Sequence, residues 1–130
     1  MKFIAVGLFV SDMSKMVSFY RDVMDMQTDW KDNEPNAQLE SDGFCLIMYG
    51  RKDFEKMTSQ KYGYPKGTNG TMELAYEVKD FASVDAEYKR VVSLGAKPVM
   101  PPATEPWGQR TCYVADPEGN LVEIGSFNKG

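Results

Sequence analysis

WGQRTCYVADPEGNLVEIGSF, residues 107–127, divides into two short apolar runs, Gln109–Ala115 and Leu121–Ile124. Asp116-Pro117-Glu118-Gly119-Asn120 joins them. Pro supplies a fixed φ, Gly a free one and Asn a tolerated positive one, so the joint reads as a tight turn between antiparallel strands. Glu123 lies between Val122 and Ile124, and alternation sets it on the face opposite both. A carboxylate in the middle of an apolar strand is paired, exposed or functional. The strand alone leaves all three open.

Composition narrows the choices. A chain of 130 residues with 42% hydrophobic and 26% charged residues fits one soluble globular domain. No apolar run approaches the roughly 20 residues that span a bilayer, and the N-terminus lacks a signal-peptide layout. Cys45 and Cys112 both sit in apolar strand-like runs, which suits reduced core thiols and a cytoplasmic protein. A net charge of −4 argues against nucleic acid and is compatible with a cationic ligand. There are no histidines. That removes His-dependent catalysis and the commonest ligand for zinc, nickel and non-haem iron.

Outward from the opening stretch, the chain repeats itself. Phe3–Val10 reads as a strand, Ser11 or Asp12 as a helix cap, and Met13, Met16, Val17, Tyr20, Val23 and Met24 as a helical stripe. Three further strands are expected at Met26–Trp30, Asn36–Glu40 and Gly43–Tyr49. Thr71–Val78 then reads as a strand, Asp80 or Ser83 as a cap, and Val84, Tyr88, Val91, Val92 and Leu94 as a stripe that Gly95 stops. Val99–Met100 starts another strand, which Pro101-Pro102 is expected to break. Val10, Asp12, Tyr20 and Val23 recur as Val78, Asp80, Tyr88 and Val91 at a constant offset of 68 residues, an internal duplication. Between the halves, Arg51–Gly70 is charged and rich in Gly and Pro. It reads as an exposed linker or lid with one helical turn near Phe54–Met57.

Arg110 entering a strand, followed by DPEGNLVEI, resembles the closing hairpin of the vicinal-oxygen-chelate superfamily, which includes glyoxalase I, extradiol dioxygenases and the fosfomycin and bleomycin resistance proteins. Paired βαβββ modules are that superfamily's hallmark. The resemblance implies an α+β fold in which two such modules, about residues 1–49 and 71–127, form one open barrel with a concave groove. It also implies four metal-ligand positions, which fall here on Ala5, Leu46, Glu73 and Glu123. Only Glu73 and Glu123 carry a donor, so no resident metal or cofactor is expected beyond a weakly held divalent cation.

Period-2 alternation then gives the faces expected to line that groove. They are Ala5, Gly7 and Phe9; Phe44, Leu46 and Met48; Glu73, Ala75 and Glu77; and Leu121, Glu123 and Gly125. Glu73 and Glu123 would be neighbours, and one pKa should rise unless a cation or donor, such as Arg110, intervenes. Trp30 and Trp107 are candidate stacking residues beside the carboxylates, with core or loop packing as the alternative. The expected ligand set is therefore Phe9, Trp30, Phe44, Leu46, Met48, Glu73, Glu77, Trp107, Arg110 and Glu123. By resemblance to the bleomycin-resistance branch, this suggests a homodimeric protein that binds a small amphipathic or cationic molecule, with no membrane or nucleic-acid partner. The alternative is a glyoxalase-type lyase, isomerase or epimerase in which Glu73 and Glu123 are catalytic.

Overall fold

A computed structural model describes residues 1–130, and the chain folds as two compact units, Met1–Tyr64 and Pro65–Gly130. The fold is α+β, and each unit builds one sheet on a βα-initiated module. No helix is long and apolar enough to cross a membrane. Both cysteines are free.

The first unit opens with β1 (Val6–Val10) and α1 (Met13–Ser18), which continues into a π-helical turn over Phe19–Val23. Asp12 caps α1, its carboxylate accepting the Lys15 N–H at 3.1 Å. The wider π turn rotates less per residue, so the adjacent rings of Phe19 and Tyr20 both stay buried and meet edge-on at 4.9 Å. β2 (Asn36–Ser41) and β3 (Phe44–Gly50) follow, giving the sheet order β1-β3-β2. Leu8, Val10, Leu39, Leu46 and Met48 of the sheet and Met16, Val17 and Tyr20 of the helix form the core.

The strand expected at Met26–Trp30 is reduced to a single bridge, Gln27 to Glu40. The reason is local. The Thr28 hydroxyl donates to the Gln38 carbonyl at 2.8 Å and accepts the Trp30 N–H at 3.1 Å, so a side chain takes the next rung of the ladder. The expected linker also differs. α2 (Arg51–Thr58) starts directly after β3 with Gly50 as its N-cap, and Ser59 at φ +56° stops it. Residues 60–64 fold back onto it. The Glu55 carboxylate accepts Tyr64 OH at 3.0 Å, the Tyr62 N–H at 3.3 Å and Lys61 Nζ at 3.4 Å.

The second unit contains β4 (Asn69–Glu77), α3 (Phe81–Ser93), β5 (Lys97–Thr104), β6 (Arg110–Ala115) and β7 (Asn120–Ser126). Its sheet runs β4-β7-β6-β5, with β4 parallel to β7 and the other pairs antiparallel. Val84 and Val91 of α3 pack with Cys112, Val114, Val122 and Ile124, all essentially inaccessible. Burial pushes the Cys112 thiol up to about 11, which keeps it inert at neutral pH. Asp80 caps α3 through the Ser83 N–H at 2.9 Å and the Ser83 hydroxyl at 2.7 Å.

Pro101-Pro102 does not end β5, contrary to expectation. β5 is an edge strand whose register slips between Pro98 and Met100 and again between Met100 and Ala103. Edges and bulges tolerate residues that have no N–H to give. In the turn after β6, the buried Asp116 carboxylate accepts the N–H groups of Glu118 and Asn120 at 2.9 and 3.0 Å. Gly119 has φ +89°, and a Cβ there would run into the backbone of Gly67. Only glycine fits both demands.

Candidate functional site: the acidic face of the second sheet

The hairpin register assembles the site. Tyr113 of β6 lies directly opposite Glu123 of β7, and Thr111 lies opposite Gly125. On the other side of β7, Ala75 of β4 is the partner of Glu123 and Glu77 that of Gly125. One sheet face therefore carries Glu73, Ala75 and Glu77, then Leu121, Glu123 and Gly125, then Thr111 and Tyr113. The opposite face supplies the α3 core. Glu73, Ala75 and Glu77 are exposed, and Glu123 is half-buried.

Tyr113, opposite Glu123 in the register, brings its phenol close to the carboxylates of Glu123 and Glu73. Burial first, then these neighbouring carboxylates, push the phenol well above its ordinary 10.0. Tyr113 is thus a neutral phenol beside two carboxylates. Glu123 Oε2 also accepts the Thr111 hydroxyl at 2.7 Å and, more weakly, Gln109 Nε2 at 3.4 Å. Gln109 Oε1 in turn accepts the indole N–H of Trp107 at 2.9 Å. A Cβ on Gly125 would lie 2.8 Å from Gln109 Nε2 and 3.2 Å from Thr111 Oγ1, so the glycine leaves room for both donors.

Every one of these partners of Glu123 is neutral. They orient the carboxylate and leave its charge uncancelled. Arg110 does not stand between Glu73 and Glu123; the residue of β6 close to both, on their face, is Tyr113. Arg110 belongs to the α3 side of β6, where its Nη2 meets Asp85 Oδ1 at 2.7 Å and its Nη1 donates to Thr104 at 3.0 Å. Alternation explains the difference, because Arg110 and Tyr113 are three residues apart and fall on opposite faces. Trp107 sits in the β5–β6 connection, 64% exposed, where Gly108 N donates to Glu105 O at 2.9 Å.

The first unit repeats the pairing with different side chains. Gly7 pairs with Ile47, and Ile47 with Gln38, as Ala75 pairs with Glu123 and Glu123 with Tyr113. The counterpart of Glu123 is therefore Ile47, and the expectation of Leu46 is one residue out of phase. Leu46 is 3% exposed and Met48 is 0%. Both pack in the core with Leu8 and Leu39, so neither is available to a ligand. Phe44, at the start of β3, shares their side of the strand and is 80% exposed. The run FCLIMYG is apolar on both faces, so its sequence holds no phase, and a one-residue slip reverses every side chain.

Phe9 lies on the face with Gly7 and Ile47 and stays exposed, its ring 4.2 Å from that of Phe54 in α2. Trp30 lines a cavity of about 1060 Å³ at the ends of β1 and β3, together with Asp32, Glu34, Asp53 and Tyr64. Its indole N–H is fixed on the Glu34 carbonyl at 3.1 Å. Its charges are mixed, and Arg51 is already stacked on Tyr64 at 4.4 Å. The convergent chemistry lies on the second sheet.

The donor set does not suit the metal centre that the resemblance implies. The first-unit counterparts, Ala5 and Ile47, are aliphatic. Glu73 and Glu123 have a phenol close beside them, and no group of three or more His, Cys, Asp or Glu side chains converges anywhere in the chain. Sequence reasoning missed Tyr113, Gln109 and Thr111. One signal was present: a turn centred on Glu118 pairs residues symmetrically about it, which sets Tyr113 against Glu123.

No curated protein matches the chain by sequence. Its fold is shared with a glyoxalase/bleomycin resistance protein/dioxygenase from Nocardioides at 23% identity, TM-score 0.81, over 100% of this chain and 86% of that one. A lactoylglutathione lyase from Agrobacterium tumefaciens is similar at 22% identity and TM-score 0.74, over 96% and 92%. A fosfomycin resistance protein from Listeria monocytogenes follows at 16% and 0.73, over 97% and 93%. With the family model matching residues 2–124, almost the whole of both units, the chain belongs to the Glyoxalase/Bleomycin resistance protein/Dioxygenase superfamily.

Proposed function

We propose that this protein binds a small amphipathic cation on the acidic face of the second sheet and holds no resident transition metal. The observation that carries this reading is the set of neutral donors around Glu123. Thr111 and Gln109 fix the carboxylate, and the neutral Tyr113 phenol stands close to it and to Glu73, while no lysine or arginine neutralises either group. A fixed carboxylate that keeps its charge attracts a cation, and the exposed indole of Trp107 offers a surface for an aromatic body. Ionised carboxylates on one face repel each other, and a bound cation relieves that repulsion, whereas an anionic adduct adds to it. Magnesium or calcium would be at most a weak visitor, since hard cations prefer more oxygen ligands than two carboxylates supply. The family's habit of pairing chains leads us to expect a homodimer, which sedimentation equilibrium would check.

A second reading has its own support. Tyr113 lies close to two carboxylates, groups of the kind that carry out acid–base work, and a lactoylglutathione lyase is among the solved relatives. Thermal denaturation with a basic aromatic such as tryptamine separates the two. The binding reading expects stabilisation that weakens in Glu73→Gln and in Trp107→Ala and declines with salt. Turnover of the methylglyoxal–glutathione hemithioacetal that disappears in Glu123→Gln would replace it with the lyase reading.

A further inference from the structure

Trp107 is exposed, yet it is held. Its indole N–H is committed to Gln109 Oε1 at 2.9 Å, which settles the orientation of that carboxamide and turns Gln109 Nε2 toward Glu123. Gly125 contributes by having no side chain where Gln109 and Thr111 cross β7. Two donors thereby converge on the same oxygen, Oε2 of Glu123, from residues two apart on one strand. A carboxylate offers about four lone-pair sites. With Oε2 anchored by these two donors, directed acceptor capacity remains for a ligand.

We propose that Trp107 and Gln109 form a positioning relay for Glu123, so that the face selects planar cations carrying N–H donors, such as amidines, guanidines or protonated aryl amines, over quaternary ammonium ions. The inference rests on the binding reading above and deepens it. Stacking on Trp107 serves both ligand classes equally, because cation–π attraction does not depend on an N–H. An oriented lone pair does distinguish them, since a hydrogen bond weakens steeply away from linearity. The indole thus has two separable roles. Its ring supplies surface, and its N–H aims Glu123 through Gln109.

Benzamidine and phenyltrimethylammonium test this. Both are aromatic monocations with a flat ring to stack, and only the first has N–H groups. Titration calorimetry of the wild type is expected to favour benzamidine by about fivefold or more, the equivalent of one net hydrogen bond. Trp107→Phe keeps an aromatic ring and loses the N–H, and Gln109→Leu removes the carboxamide. Each should cut benzamidine affinity by about fivefold while changing phenyltrimethylammonium little. The double variant should be no worse than either single one, because both break the same chain.

A ligand-free measurement runs beside the calorimetry. The chain has two tryptophans, so two indole N–H resonances appear by NMR, and the one absent from Trp107→Phe is assigned to Trp107. It should shift in Gln109→Leu and in Glu123→Gln, and stay in place in Glu77→Gln. An indole resonance that ignores Gln109→Leu overturns the relay. Equal loss of both probes in Trp107→Phe, or loss of neither, overturns the selectivity. Failure of the wild type to bind either probe overturns the binding reading, while the indole resonance still judges the relay separately.

Discussion

The corresponding faces of the two sheets share a register and almost nothing else. In the first unit, Ala5, Gly7 and Phe9 stand beside Ile47, with Gln38 across from it. In the second, Glu73, Ala75 and Glu77 stand beside Glu123, with Tyr113 across from it. The first face carries no charge, and Phe54 of α2 stacks at its Phe9 end, also near the rings of Tyr49 at 6.0 Å and Tyr62 at 5.2 Å. The second carries three carboxylates, of which Glu123 is held by the neutral donors Thr111 and Gln109. The lesson is that the duplicated scaffold is conserved in its pairing while its chemistry has been concentrated in one copy. Fold follows from pairing and core; the site follows from which side chain each register position presents.

The most forceful way to break this comparison is to test the phase of β3. Leu46→Glu would bury a charge among Leu8, Leu39 and Met16, and should cost at least about 3–4 kcal/mol or abolish folding. Ile47→Glu, one residue along, puts the charge on the open face and should cost about 1 kcal/mol or less. Urea denaturation of the two variants decides. Equal damage from both would remove the equivalence of Ile47 with Glu123.

A finer probe is Tyr113→Phe. It removes the hydroxyl that lies close to Glu73 and Glu123, and the loss should be about 1 kcal/mol or less of stability at neutral pH. Because the phenol's folded pKa is raised, its contribution is complete below its ordinary 10.0 and fades as pH rises beyond that value. Melting temperatures of wild type and Tyr113→Phe should therefore converge in alkali. Curves that stay parallel above pH 10 would show that the phenol is not the source of the difference.

The smallest expected effect is at the cap of α3. Asp80 receives the Ser83 N–H and the Ser83 hydroxyl. The Ser83 hydroxyl, then its N–H, hold the Asp80 carboxyl below its ordinary 3.8. A depressed folded pKa means that the contribution is present above 3.8 and is lost as pH falls through the lowered value. Asp80→Asn should flatten the acid limb of the melting curve. An acid limb unchanged in that variant would refute the contribution.

Sequence alone determined the repeat, the helix caps, the closing hairpin and the presence of Glu73 and Glu123 at matched places, because these depend on spacing, turn chemistry and polarity that local residues encode. It also removed histidine chemistry outright. It could not determine the phase of FCLIMYG, because an apolar run on both faces has no preferred side until α1 packs against one of them. Nor could it show that Thr28 would end a strand, or that prolines would be absorbed at an edge by slipped register. The partners of Glu123 were likewise decided only in three dimensions. Tyr113 and Thr111 reach it across the hairpin, Gln109 passes over a glycine to do so, and Arg110 is drawn to Asp85 on the other face. Side-chain identity is written residue by residue, but which residues share a face and a hydrogen bond is a property of strand pairing, and pairing is settled by the packing of the whole sheet on its helix.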